Sequence, residues 1–259
     1  MIVSLKGEAN SGKSAFALSF PGKVLVHEFD YGGFERAVTV HRDRQDAGDY
    51  VLKSYTPPLD NVRKNLGIKD ETTQRLHGIR ALWEQFIDDF CDGLEDSTVN
   101  SLSLDTFSKL YYLNAEALVE LMQDEQELKG MKAGDKYRQQ LLQIEYGKVN
   151  TRMNALFEAA ANKGKNIILV HHMADTYGQV LNNGKVETAV TGRDAKGWKH
   201  CGFAAADLSD IVLQFTQETV DGKLVFRATF TKAPPALMGT YMDMPTYDDM
   251  VNRLKLVNG

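Results

Sequence analysis

Apolar positions along the chain come either in short continuous runs or at a helical repeat, and the two kinds take turns. The runs at 2–6, 23–29, 99–105 and 166–172 predict strands, the last almost wholly apolar and so suited to the middle of a sheet. A helix is expected after the first strand, running to about Phe20, where Pro21-Gly22 breaks it. Leu76, Ile79, Trp83, Phe86, Phe90 and Leu94 recur at helical spacing and predict an amphipathic helix over 71–94. Helices are also expected at 107–127 and 135–163. The latter carries a stripe at Leu142, Val149, Met153, Leu156 and Ala160 and stops at Asn162-Lys163-Gly164-Lys165.

Between these elements the pattern is weaker. Residues 30–70 are polar and rich in turns, with a short strand at 50–55, and 175–200 is a long polar stretch. Later, 210–215 and 224–231 flank Asp221-Gly222-Lys223, a hairpin signal, and 247–257 reads as a closing helix. Strands alternating with helices predict an α/β fold with a mostly parallel sheet, built as one domain over 1–259.

Composition narrows the class without changing that picture. Of 259 residues, 43% are hydrophobic and 25% charged, enough for a large core without disulfides or metal. Cys91 and Cys201 lack ligand-like spacing and read as small core residues of a protein in a reducing compartment. No apolar run approaches a bilayer span and no leader pattern opens the chain, so a cytoplasmic protein, or one in a host cytoplasm, is expected. A net charge of −5 means that any nucleic-acid contact must be local.

The strongest chemical signal is Gly7-Glu8-Ala9-Asn10-Ser11-Gly12-Lys13-Ser14, followed by Ala15, between the first strand and first helix. In this pattern glycines let backbone amides turn onto phosphates, Lys13 neutralises the β- and γ-oxygens, and the Ser14 hydroxyl ligates Mg²⁺. Asp105 ends a strand and can hold the Mg²⁺ shell from a position beside that loop, although Ser101 and Ser103 make its strand half polar. Glu28 and Asp30 close the second strand before Gly32-Gly33, and one of them can orient an attacking water. Asp30 lies nearer the turn, and Glu28 has the longer reach. The plain alternatives are a turn-capping aspartate and a solvated glutamate.

His171 and His172 are strand neighbours and point to opposite faces, a poor chelate. His171 is expected in the core, and His172 at the strand end can sense a γ-phosphate. In the polar stretch, Lys185, Arg193, Lys196 and Lys199 outnumber Glu187 and Asp194, and Trp198 can stack on a base. Asn182-Asn183-Gly184-Lys185 suggests a small hairpin tip there, and a solvated surface loop is the bland reading.

Taken in order, the Gly7–Ser14 loop, the turn after Glu28, Asp105, the His171-His172 strand end and the late hairpin resemble the RecA-core ATPases. The compact length is similar to the small bacteriophage members of the Sak type. That resemblance implies an ATP- and Mg²⁺-dependent, DNA-stimulated enzyme in recombination or annealing. Its partners would be single-stranded DNA, further copies of the chain in a filament or ring, and a single-strand-binding protein. It also implies a cation from the late hairpin acting on a neighbour's γ-phosphate, here Lys232 with Arg227 as runner-up, and a DNA-facing loop at 175–200. A DNA-packaging or helicase-type motor is the nearest enzymatic rival, and a non-hydrolysing, nucleotide-gated assembly protein the rival of another class. No guanine reader of the Asn-Lys-x-Asp kind and no arginine-rich lid is evident.

Overall fold

The computed structural model describes residues 1–57, 75–130, 135–182, 185–195 and 208–258. Its elements are strands β1 (Ile2–Gly7), β2 (Lys23–Glu28), β3 (Tyr50–Ser54), β4 (Val99–Asp105), β5 (Asn166–His171), β6 (Met173–Asn182), β7 (Lys185–Ala195), β8 (Ile211–Val220), β9 (Lys223–Lys232) and β10 (Tyr241–Asp243). The helices are α1 (Lys13–Leu18), α2 (Gly33–Val38), α3 (Arg42–Asp46), α4 (Ile79–Glu95), α5 (Phe107–Leu128), α6 (Tyr146–Asn162) and α7 (Tyr247–Asn258). The fold is α/β. An eight-stranded sheet runs β10-β9-β8-β1-β5-β4-β2-β3, and its six strands from β8 to β3 are parallel.

Period-two alternation sends side chains on the two faces of the sheet into two separate cores. Leu25, Leu102, Leu104, Ile167 and Leu169 pack under α4, α5 and α6. Val24, Val26, Ile168, Val170 and Leu213 pack on the other face, against α1, α2 and α7. The half-polar character of β4 has its explanation here. Its leucines face the α4–α6 layer, and Ser101 and Ser103 are buried on the α1 face, where Ser101 accepts a hydrogen bond from Asn166.

Several boundaries differ from the expected ones, each for a tertiary reason. The helix expected over 71–94 starts at Ile79, after Gly78 in the left-handed region (φ 78°). Glu120 on α5 accepts from the backbone amides of Gly78 (2.8 Å) and Arg80 (2.6 Å), satisfying donors that a helix start leaves open. Residues 71–74 of that expectation lie outside the described residues. The helix expected over 135–163 starts at Tyr146 behind a 3₁₀ turn, where the Glu145 carboxylate accepts from the Leu142 amide at 2.6 Å. Leu142 is exposed rather than part of the buried stripe, and Cys91, expected in the core, is exposed on α4, whereas Cys201 lies outside the described residues. The turn-rich stretch after β2 holds two short helices beside β3, and the polar stretch near 175 is not a loop but the antiparallel ribbon β6–β7. Among the described residues no helix is long and apolar enough to cross a membrane.

Candidate functional site

The carboxyl ends of β1, β5, β4 and β2 lie side by side, the edge where parallel sheets bind ligands. Register aligns Lys6 with His171, Val170 with Asp105, and Asp105 with Glu28. On the α1 face this edge opens into a cavity of about 370 Å³ lined by residues 9–15, Asp30, Asp105, His172, Arg36 and Phe226. Asp105 lies beside the loop even though β5 separates β4 from β1. The helix α1 crosses that gap and brings Ser14 to Asp105.

Close backbone packing shapes the loop between β1 and α1. A Cβ at Gly7 would sit 2.4 Å from the Phe215 carbonyl of β8, so the chain can pass there only as glycine. Gly12 (φ 92°) needs the left-handed region and lies under the Phe226 ring, 3.1 Å from an added Cβ. Lys13 is buried and folds back on the loop, donating to the carbonyls of Gly7 (2.8 Å) and Glu8 (2.6 Å) and to Ser11 Oγ (3.2 Å). Burial lowers its pKa to about 8 against the pull of Asp105 and Glu8. Ser14 Oγ donates to Asp105 Oδ2 at 2.6 Å. Burial also pushes the Asp105 carboxyl above the usual range, opposed by that hydrogen bond and by Lys13. A hydroxyl and a carboxylate held together form a hard-oxygen pair of the kind Mg²⁺ takes.

Glu28, which ends β2, and Asp30, just beyond it, are placed differently. Glu28 is buried, accepting from the Phe34 amide (2.8 Å) and Ser54 Oγ (3.4 Å), which pins the start of α2. Asp30 lines the cavity, with Oδ1 accepting from Lys109 Nζ at 2.7 Å and Oδ2 paired with His172 Nε2 at 2.8 Å. Burial pushes Asp30 up, but the Lys109 and His172 contacts outweigh it and hold the carboxyl below its ordinary value. A Cβ on Gly33 would come within 3.5 Å of Glu28 and 3.7 Å of Asp105, so both carboxylates border that glycine.

His171 and His172 do take opposite faces. His171 is buried against Phe107 (ring centroids 5.3 Å apart), and desolvation lowers its pKa to about 3. His172 faces the cavity. Lys109 and Phe226 were not singled out in the sequence. Lys109 stands in the first turn of α5, four residues after Asp105, and that offset was the only available signal. Phe226 reads as an ordinary hairpin apolar residue.

Other expected residues lie elsewhere. Lys232 ends β9 opposite Val212, four strand positions from Ala228, whose partner Phe215 pairs with Gly7. At about 3.3 Å per residue that is roughly 13 Å from the level of its own loop. Arg227 is held by Glu218 and by Asp243 (2.7 Å) and stacks on Tyr241. Arg193 sits at the base of the β6–β7 ribbon, bound to Glu8 and to Asp175 (3.1 Å). The backbone of Lys185 opens β7 opposite Asn182. Lys196, Trp198 and Lys199 lie outside the described residues. No protein-family model matches the chain, and no curated protein matches it.

Proposed function

We propose that this protein binds ATP with Mg²⁺ at residues 7–15, hydrolyses it, and acts on single-stranded DNA as a homo-oligomer, in the manner of the RecA-core phage ATPases. The observation that carries the reading is the Ser14–Asp105 contact at 2.6 Å beside a lysine folded into a glycine loop. These three groups are what a triphosphate with its metal requires, and they come from two elements that only the fold joins. Mg²⁺, held by Ser14 and Asp105, would neutralise charge on the phosphate oxygens. Lys13 exchanges loop carbonyls for phosphate oxygens, and the anion restores the cation that burial disfavours. Asp30, kept ionised by Lys109 and His172, orients a water for attack on the γ-phosphorus. The bond to the β-bridging oxygen breaks, and ADP, phosphate and a proton leave. Single-stranded DNA is assigned to Lys185, Arg193, Lys196, Lys199 and Trp198, and the trans-acting cation to Lys232.

The test is steady-state ATP hydrolysis with and without single-stranded DNA, on the parent and on Lys13→Ala. Mg²⁺-dependent turnover that DNA raises and Lys13→Ala removes is the expected result. Nucleotide binding without turnover would make the protein a nucleotide-gated assembly factor. Stimulation by duplex alone would make it a packaging or helicase-type motor.

A further inference from the structure

The β6–β7 ribbon leaves the main sheet directly after His172 and touches the rest of the chain at its base, where Lys6 pairs with Asp194 (3.0 Å) and Arg193 with Glu8. Beyond that base, one face is made of three cross-strand rungs: Tyr177 with Val190, Gln179 with Thr188, and Leu181 with Val186. The four apolar residues are 59%, 54%, 76% and 64% exposed, in the order Tyr177, Val190, Leu181, Val186. A two-stranded ribbon is marginal in water, and scattered single apolar residues would be ordinary, but two complete apolar rungs on one face are not.

Charge decides what fits there. The three rungs carry no charged residue, and the nearest charges on that face, Asp175 and Arg193, are paired with each other. A nucleic-acid strand brings a phosphate per nucleotide and is met by lysine and arginine, which these rungs lack. Copies of a chain with net charge −5 repel, so contact between them is least opposed over an uncharged face. The pattern is also its own complement. Apolar rungs stand at equal spacing on either side of the polar one. A two-fold axis crossing the ribbon at the Gln179/Thr188 rung therefore lays Tyr177 on Leu181 and Val190 on Val186 of a second copy. It also sets Gln179 against Gln179.

We infer that this ribbon face binds a second copy of the same chain, forming a two-fold dimer contact. A two-fold contact closes at two copies, unlike the head-to-tail contact of a filament or ring. The inference goes beyond the nucleotide reading and does not depend on it. The face is small, so the contact is weak and concentration-dependent.

The measurement is sedimentation equilibrium from about 1 to about 100 μM, a range that covers weak interfaces of this size. Without nucleotide or DNA, so that no contact through the nucleotide site is engaged, the parent should shift from monomer to dimer. Gln179→Lys and Gln179→Glu each set like charges against each other across the axis. Each alone should associate at least tenfold more weakly, while an equal mixture of the two regains the parent's association. Gln179 is exposed, so both variants should melt like the parent. Lys13→Ala should associate as the parent does, whatever becomes of ATP turnover. The inference is overturned if the parent stays monomeric throughout or if the charged variants associate as tightly as the parent. It is also overturned if the mixture gains nothing, or if Gln179→Lys alters only oligonucleotide binding.

Discussion

The cavity at the end of β1 and the outer half of the β6–β7 ribbon depart from the usual distribution of side chains in opposite directions. In the cavity, charged groups are buried: Lys13 and Asp105 are each 6% exposed. On the ribbon, apolar groups stand in water. The buried charges are answered within the chain, Lys13 by loop carbonyls and Asp105 by Ser14. Among the described residues nothing packs over the ribbon's apolar rungs. The cavity is thus a preformed polar site whose ionised state costs stability, and the ribbon is a surface that gains stability only when something covers it.

Lys13→Ala should affect the cavity most and leave the ribbon untouched. Turnover should fall by roughly a thousandfold or more, as loss of a preorganised phosphate cation does, in a steady-state ATPase assay. The variant should melt no lower than the parent at pH 7. With its pKa lowered to about 8, the folded lysine costs stability when charged, and the parent recovers that cost as pH rises above 8. Near-parent turnover would remove the cavity from the mechanism.

Asp105→Asn should reduce Mg²⁺-dependent hydrolysis about a hundredfold, with a smaller change in nucleotide binding. The same variant should melt above the parent at pH 7 without Mg²⁺ or nucleotide. Burial raises the Asp105 pKa, so its charged form is the costly one. The gap should therefore close as pH falls through the raised value toward the unfolded one. Equal melting at pH 7 would show that Ser14 and Lys13 fully offset the burial.

Charge reversal at the positions that follow β7 in sequence, Lys196→Glu/Lys199→Glu, should weaken oligonucleotide binding about tenfold at low salt, with a shallower salt dependence. Fluorescence anisotropy checks this, and Trp198→Ala should lose about 1–3 kcal/mol of stacking. Unchanged binding in both variants would move the DNA contact elsewhere on the molecule.

Asp30→Asn should lower the hydrolysis rate about tenfold with ATP affinity nearly unchanged, because positioning a water acts in the transition state. Glu28→Gln should leave the rate closer to the parent and cost about 1–2 kcal/mol of stability in urea unfolding, since its carboxylate holds the Phe34 amide. Before the structure the two were interchangeable. An equal rate loss in both variants would make them so again.

Features that depend on neighbours along the chain are legible in the residues alone. The loop at 7–14, the strand at 99–105 and the opposed faces of His171 and His172 follow from glycine spacing and a backbone period of two. The half-polar β4 was visible too, although why serines face α1 was not. Tertiary structure alone decided the order of strands, which puts β5 between β1 and β4. It alone brought Lys109 to Asp30 across 79 residues and Phe226 over Gly12. The start of α4 was likewise set from another helix, through Glu120, and the stretch near 175 became a ribbon by pairing β6 with β7. Local propensity is written residue by residue, whereas a partner distant in sequence is chosen by the packing of the whole sheet. Periodicity cannot report that choice.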